Sequence, residues 1–232
     1  MRTTTNEHKP GAYETILKPI EAVRIAREIL KNNSYIKVIG IAGPGEPLYN
    51  CETFETLRLL KDTKYIKCLC TNGLLLPKKV YKLKDLGLEF LTITINSIDP
   101  EIATEIYSFV EFEGERFEGL DAAELLVQNQ LKGLRLASKF MIVKVNTVLI
   151  PGVNDEHIVE IAKKIRNYAY VQNVIPLIPQ YKFSNLKPPS MELLREVREK
   201  CSKYVKQIYH CAMCRADSAG RLYERKTLFQ FL

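Results

Sequence analysis

The sequence predicts an α/β fold in which a parallel sheet curls into a partial, TIM-like (β/α) barrel. Three observations predict it. Short β-branched runs alternate with longer stretches of helical period along the 232 residues. One face of those runs is persistently polar, although the helices between them need an apolar face to pack on. Turn-forming and hydrogen-bonding residues gather just after each run.

Lys18-Pro19 opens the first helical stretch, "IEAVRIAREILKNN" (20–33), because proline's fixed φ suits a first helical turn. The runs "YIKVIGIA" (35–42), "YIKCLCT" (65–71), "FLTITIN" (90–96), "MIVKVNTVLI" (141–150) and "YVQNVIPLI" (170–178) read as strands. Helical period marks "ETFETLRLLKD" (52–62), "KKVYKLKDLG" (78–87), "PEIATEIYSFV" (100–110) and "DAAELLVQNQLKGLRLASK" (121–139). It returns in "DEHIVEIAKKIRNYA" (155–169) and "SMELLREVREKCSKYV" (190–205), while "FSNLKPPS" (183–190) reads as a loop. Strand–helix–strand repetition implies parallel strands joined by right-handed crossovers. No linker or low-complexity segment interrupts the chain, so residues 1–232 are expected to form a single domain.

The faces of the strands choose between an open sheet and a barrel. In "LTITIN", Thr92, Thr94 and Asn96 alternate with Ile93 and Ile95; in "VKVNTV", Lys144 and Asn146 oppose Val143 and Val145. A parallel sheet covered on both sides reads as uniformly apolar. Helices outside and a polar, ligand-filled interior account for the alternation better.

Hydrophobic residues make up 46% and charged residues 26%, which suits a globular domain and contains no run long enough for a membrane span. The formal charge of +7 falls largely on the polar faces of predicted helices, so neither nucleic acid nor membrane is expected as a partner. Cys51, Cys68, Cys70, Cys201, Cys211 and Cys214 are scattered with no secretory leader, which points to reduced thiols and a cytoplasmic location.

Candidate site residues cluster at the ends of the strands, in "AGPGEPL" (42–48), "TNGL" (71–74), "NSID" (96–99) and "IPGVND" (150–155). That edge binds ligands in both doubly wound and barrel folds. Gly43 and Gly45 let backbone approach a ligand, Glu46 suits an ammonium group, and Asn72, Asn96, Ser97 and Asn146 suit a sugar or carboxylate. "GPGEP" lacks the spacing of a dinucleotide fingerprint. Cys68 and Cys70 share a strand face, and Cys211-x-x-Cys214 is half of a zinc or iron–sulfur site. Cys51 and Cys201 read as structural, and His157 as a surface residue of a first helical turn.

Six segments, "VIGIAGPGEPL", "CLCTNGLLLP", "LTITINSIDPEIATEIY", "KVNTVLIPGVNDEH", "NVIPLI" and "HCAMCRADSAG", together resemble the NifB family of radical S-adenosylmethionine (SAM) enzymes. The resemblance runs from about Asn6 to Gly220. It implies a partial barrel of the radical SAM type, with SAM across the C-terminal strand edge. Gly43, Gly45 and Glu46 then lie by the methionine amino group, and Thr71, Asn72, Asn96, Ser97 and Asn146 line the SAM pocket. Cys68 matches a ligand of one 4Fe-4S substrate cluster, and Cys211 and Cys214, in the tail 205–232, match ligands of a second. The implied reaction makes the iron–sulfur–carbide precursor of the nitrogenase iron–molybdenum cofactor from two 4Fe-4S clusters and SAM. It is a methyl-transferring, hydrogen-abstracting, lyase-type chemistry, served by cluster donors and by cofactor carrier or scaffold proteins.

The sequence also departs from that family. No Cys-x3-Cys-x2-Cys run occurs in it, Thr4 stands where the family has a cysteine, and Glu7-His8-Lys9-Pro10 replaces Glu-Ser-Arg-Pro. Lysine there loses arginine's planar, bidentate donors. The motif, two further cluster ligands and the first barrel strand are therefore expected upstream of Met1. The alternatives are a degenerate barrel that binds a cluster or SAM without catalysis, and a MoaA-like maturase, against which "CRADSAG" and "AGPGEP" argue. Purified and anaerobically reconstituted, the chain alone should release no 5′-deoxyadenosine from SAM, since three thiolates are needed to hold the cleaving cluster. Chromatographic detection of that product would refute this expectation.

Overall fold

The computed structural model describes residues 17–42 and 45–209. In chain order the elements are α1 (Pro19–Asn32), β1 (Val38–Ile41), α2 (Cys51–Leu59), β2 (Ile66–Thr71), α3 (Leu76–Asp85), β3 (Phe90–Thr94) and α4 (Pro100–Ile106). There follow β4 (Phe109–Phe112), β5 (Glu115–Glu118), α5 (Gly119–Ala137), β6 (Ile142–Leu149), α6 (Ile158–Ile165), β7 (Val171–Pro176) and α7 (Met191–Ser202). Helix starts follow local chemistry. Asn50, Asp99 and Ser190 each accept a backbone N–H of the first turn of α2, α4 and α7, at 3.0, 2.9 and 3.1 Å. None of the helices among the described residues is long and apolar enough to cross a membrane.

Five strands pair in parallel in the order β1-β2-β3-β6-β7. All five strands expected from sequence are present, and their register aligns Cys70 with Thr92 and Lys144, and Thr94 with Asn146 and Asn173. The alternate face carries Leu69, Leu91, Ile93, Val143, Val145 and Val174, packed under α3, α5, α6 and α7 in the main core. Each fully buried leucine or valine there contributes about 1.5–3 kcal/mol. The inner face is less uniformly polar than expected. Val148, Ile150, Ile175, Leu177 and Phe183 form a second apolar cluster where β6 and β7 end.

The largest departure from the sequence reading lies at 100–118. The helix expected over 100–110 stops at Ile106, because Tyr107 is extended (φ −113°, ψ 126°). Phe109–Phe112 then pairs antiparallel with Glu115–Glu118 in a hairpin outside the main sheet. Its two-residue turn, Glu113-Gly114, has both residues at positive φ (56° and 87°), as a primed turn requires. Glutamate is strained there, and its carboxylate is held by Lys78 at the start of α3. Val110, Phe112 and Phe117 anchor the hairpin on Leu74, Ala122 and Leu126.

Helices α3 and α5 approach closely at Gly133, where a Cβ would stand 2.8 Å from both Cβ and Cγ of Leu76. Those atoms lie near the backbone and cannot swing aside. Gly133→Val should destabilise the protein by about 1–3 kcal/mol through overpacking. Urea unfolding that shows no loss would contradict this packing.

Candidate functional site

The C-terminal ends of the strands are built around side chains that replace missing ladder partners. After β1, Gly45 turns the chain at φ +96°, a conformation that L side chains rarely adopt. Glu46 follows and folds back toward β2. Its carboxylate accepts from Thr71 Oγ1 (2.6 Å), Asn72 N (2.7 Å) and Leu48 N (3.1 Å). Burial raises its pKa, and the three hydrogen bonds partly offset that rise. Glu46 is thus a brace between two loops, with both oxygens already engaged.

The 72–74 loop is pinned from below. Thr71 Oγ1 accepts from Gly73 N (3.0 Å) and Asn72 Oδ1 from Leu74 N (2.8 Å), two local turns that hold the loop tight. Gln130, on the buried face of α5, donates through Nε2 to Asn72 O (2.7 Å) and Thr94 O (2.9 Å). One amide therefore ties the ends of β2 and β3 together. Gly73 (φ +85°) is needed there, since a Cβ would lie 3.0 Å from Gln130 Cγ and from Ile93 Cγ2.

Asn154 does the same for β3 and β6. Its Oδ1 accepts from Ile150 N (2.8 Å), and its Nδ2 donates to Asn96 O and Val148 O, both at 2.9 Å. Asn96 Oδ1 accepts from Val148 N (2.9 Å). The Tyr107 hydroxyl faces Asn96 and Gln130, and its burial pushes the phenol up to about 12, so it stays neutral. Ser97 closes the next turn, donating to Asp99 O (2.8 Å) and accepting from Asp99 N (3.0 Å). Asn146 lies one row inward, its Oδ1 3.3 Å from Asn173 Nδ2.

The structure thus brings Gly45, Glu46, Thr71, Asn72, Asn96 and Ser97 to one edge, with Asn146 on the inner wall. Cys68 and Cys70 share the inner face of β2, half-buried, alternating with Lys67, Leu69 and Thr71. Gly43, Cys211 and Cys214 lie outside the described residues. Cys201 is buried, and burial pushes its thiol up to about 12, which suits a structural role. Cys51, expected to be structural, is exposed at the start of α2. His157 is not a surface residue: half-buried, it accepts from Ile98 N through Nε2 at 3.1 Å. Gln130, Tyr107, Asn154 and His157 were not singled out as site residues. Gln130 is the one with a signal, a polar residue within the apolar stripe of α5.

The chain belongs to the radical SAM superfamily, whose family model matches residues 4–165. Solved structures agree in fold. A radical SAM methyltransferase from Sphaerobacter thermophilus has a TM-score of 0.60 at 20% identity, covering 82% of this chain and 55% of that one. SuiB from Streptococcus suis, bound to S-adenosylmethionine, has a TM-score of 0.63 at 16% identity, covering 84% and 44%.

Within the superfamily the chain is a member of the NifB family. It is 48% identical over 229 residues to the FeMo cofactor biosynthesis protein NifB of Methanocaldococcus jannaschii, covering 97% of this chain and 76% of that protein. It is 39% identical to the Klebsiella pneumoniae protein of the same name, of which it spans 50%.

The His157–Ile98 bond makes a pH prediction. The imidazole must be neutral to accept, and burial lowers its pKa, against the opposing pull of Asp99 and Glu160. A histidine whose folded pKa is depressed stabilises fully above its unfolded pKa, about 6.5. That contribution is lost as pH falls through the lower folded value. Wild type should lose stability relative to His157→Gln as pH drops below about 6.5. Parallel melting-temperature profiles for the two proteins would rule this out.

Proposed function

We propose that this chain is the SAM-binding barrel of a NifB-type enzyme in FeMo cofactor biosynthesis, acting on SAM and two 4Fe-4S substrate clusters to make an iron–sulfur–carbide precursor. The observation that carries this reading is 48% identity along 97% of the chain to a NifB protein. Gly43, Gly45, Glu46, Thr71, Asn72, Asn96, Ser97 and Asn146 are assigned to SAM. Cys68, Cys211 and Cys214 are assigned to substrate clusters.

The described residues fit SAM. Gly45 keeps its backbone open, with no described residue within 4 Å of where a Cβ would stand. Thr94 and Asn146 offer polar groups on the inner wall. SAM, when bound, supplies a methyl group and, on reductive cleavage, a hydrogen-abstracting 5′-deoxyadenosyl radical. The cluster that would cleave it has no such fit here. Among the described residues no group of three or more cysteine, histidine or acidic side chains could hold a metal. The chemistry assigned to this chain is therefore binding and orientation. The braces Glu46, Gln130 and Asn154 hold the strand-end loops so that their backbone is preset for the adenosyl and methionyl groups. Cys68, a soft thiolate donor on the half-buried inner face of β2, suits iron in a sulfide cluster. Cluster donors and a carrier for the product are the partners this chemistry requires.

Iron and sulfide analysis after anaerobic reconstitution tests the assignment. Cys68→Ser and the double variant Cys211→Ser/Cys214→Ser should each bind less iron and sulfide than wild type. Unchanged content in both would remove the cluster reading.

A further inference from the structure

A groove runs between the β4–β5 hairpin and the first turns of α5. Its floor is apolar and half-open: Phe112, Phe117 and Leu125. Its rim is acidic: Glu113, Glu115, Asp121 and Glu124, all exposed. Lys78 engages Glu113, whereas Glu115, Asp121 and Glu124 form no ion pair among the described residues.

The charge is segregated on a scale larger than the groove. Residues 101–124 contain eight acids and one base, Arg116, for a net −7 within a chain of net +7. Such a patch repels phosphate backbones and anionic lipid, which excludes nucleic acid and membrane as its occupant. An apolar floor inside an anionic rim suits a cationic segment with an apolar anchor.

The hairpin also adjoins the site. It stands on Leu74, in the loop pinned by Gln130, and begins two residues after Tyr107, whose hydroxyl faces Asn96. A partner seated there lies beside the strand-end edge.

We propose that this groove is a docking surface for a basic segment of a partner protein that exchanges material with the barrel mouth. The partner's role rests on the proposed function, but the docking chemistry does not. Such a segment places lysine or arginine against Glu115, Asp121 and Glu124 and an aromatic or aliphatic side chain on the Phe112–Phe117 floor.

A labelled lysine-rich peptide carrying one central phenylalanine is the probe, with affinity read by fluorescence anisotropy at several salt concentrations. Two triple variants remove the same charge from different places: Glu115→Gln/Asp121→Asn/Glu124→Gln in the groove, and Glu192→Gln/Glu196→Gln/Glu199→Gln on α7. The groove variant should weaken binding about tenfold or more, with a shallower salt dependence, and the α7 variant by less than about twofold. Replacing the phenylalanine by glycine should weaken binding to wild type. Equal effects of the two variants, no effect of either, or indifference to the phenylalanine overturns the proposal. So does displacement of the peptide by millimolar magnesium that the groove variant abolishes, since the acids would then form a cation site. The assay needs neither SAM nor cluster, so its failure leaves the proposed function standing.

Discussion

Where the strands of a parallel sheet run out, their buried backbone groups lose ladder partners but cannot reach water, and they must be satisfied some other way. In this protein side chains supply the replacement. Glu46 joins the β1 and β2 ends, Gln130 the β2 and β3 ends, and Asn154 the β3 and β6 ends; His157 takes Ile98 N in the next loop. Remove any one, and a donor or acceptor is left buried at the very edge where ligand must be met. The geometry of the strand-end loops depends on these braces more than on the loops' own sequences.

That arrangement gives the polar residues of the edge two jobs. Asn72, Asn96 and Ser97 were singled out for their capacity to hydrogen-bond a ligand, yet much of that capacity is spent within the loops. What they offer outward is a fixed backbone, which suits recognition by preset N–H and C=O groups. The inner wall differs. There Thr92, Lys144, Asn146 and the two thiols Cys68 and Cys70 stand in register on neighbouring strands. A rigid rim and a polar, thiol-bearing wall are separate devices on one sheet; the NifB-type reading assigns the rim and Asn146 to SAM, and Cys68 to an iron–sulfur substrate.

Much of the fold was legible because the physics was local. The β-branched runs became five strands, and each polar–apolar alternation marked which side the helices cover, as with Ile93 against Thr92 and Thr94. The hairpin at 109–118 was misread. "IYSFV" continues the helical pattern of 100–106, and the turn Glu113-Gly114 carries glutamate where asparagine or aspartate is the usual signal. The strand period in "VEFEGERFE" was present, but a two-stranded hairpin is marginal alone, and only packing on Leu74 and Leu126 selects it. His157 was misplaced for the opposite reason. Its sequence neighbours describe a helix start, whereas its role comes from Ile98, 59 residues away.

By itself the sequence determined the order of the five sheet strands, the polar face of the sheet, and the family to which the chain belongs. Each of these is written in nearest-neighbour chemistry: side-chain period, turn residues and motif spacing. Tertiary structure alone decided that Gln130 and Asn154 hold the site together, that Glu46 faces inward as a brace, and that an acidic groove lies beside the mouth. Those outcomes depend on which buried backbone groups end up without a ladder partner, and that is settled only when segments distant in the chain meet.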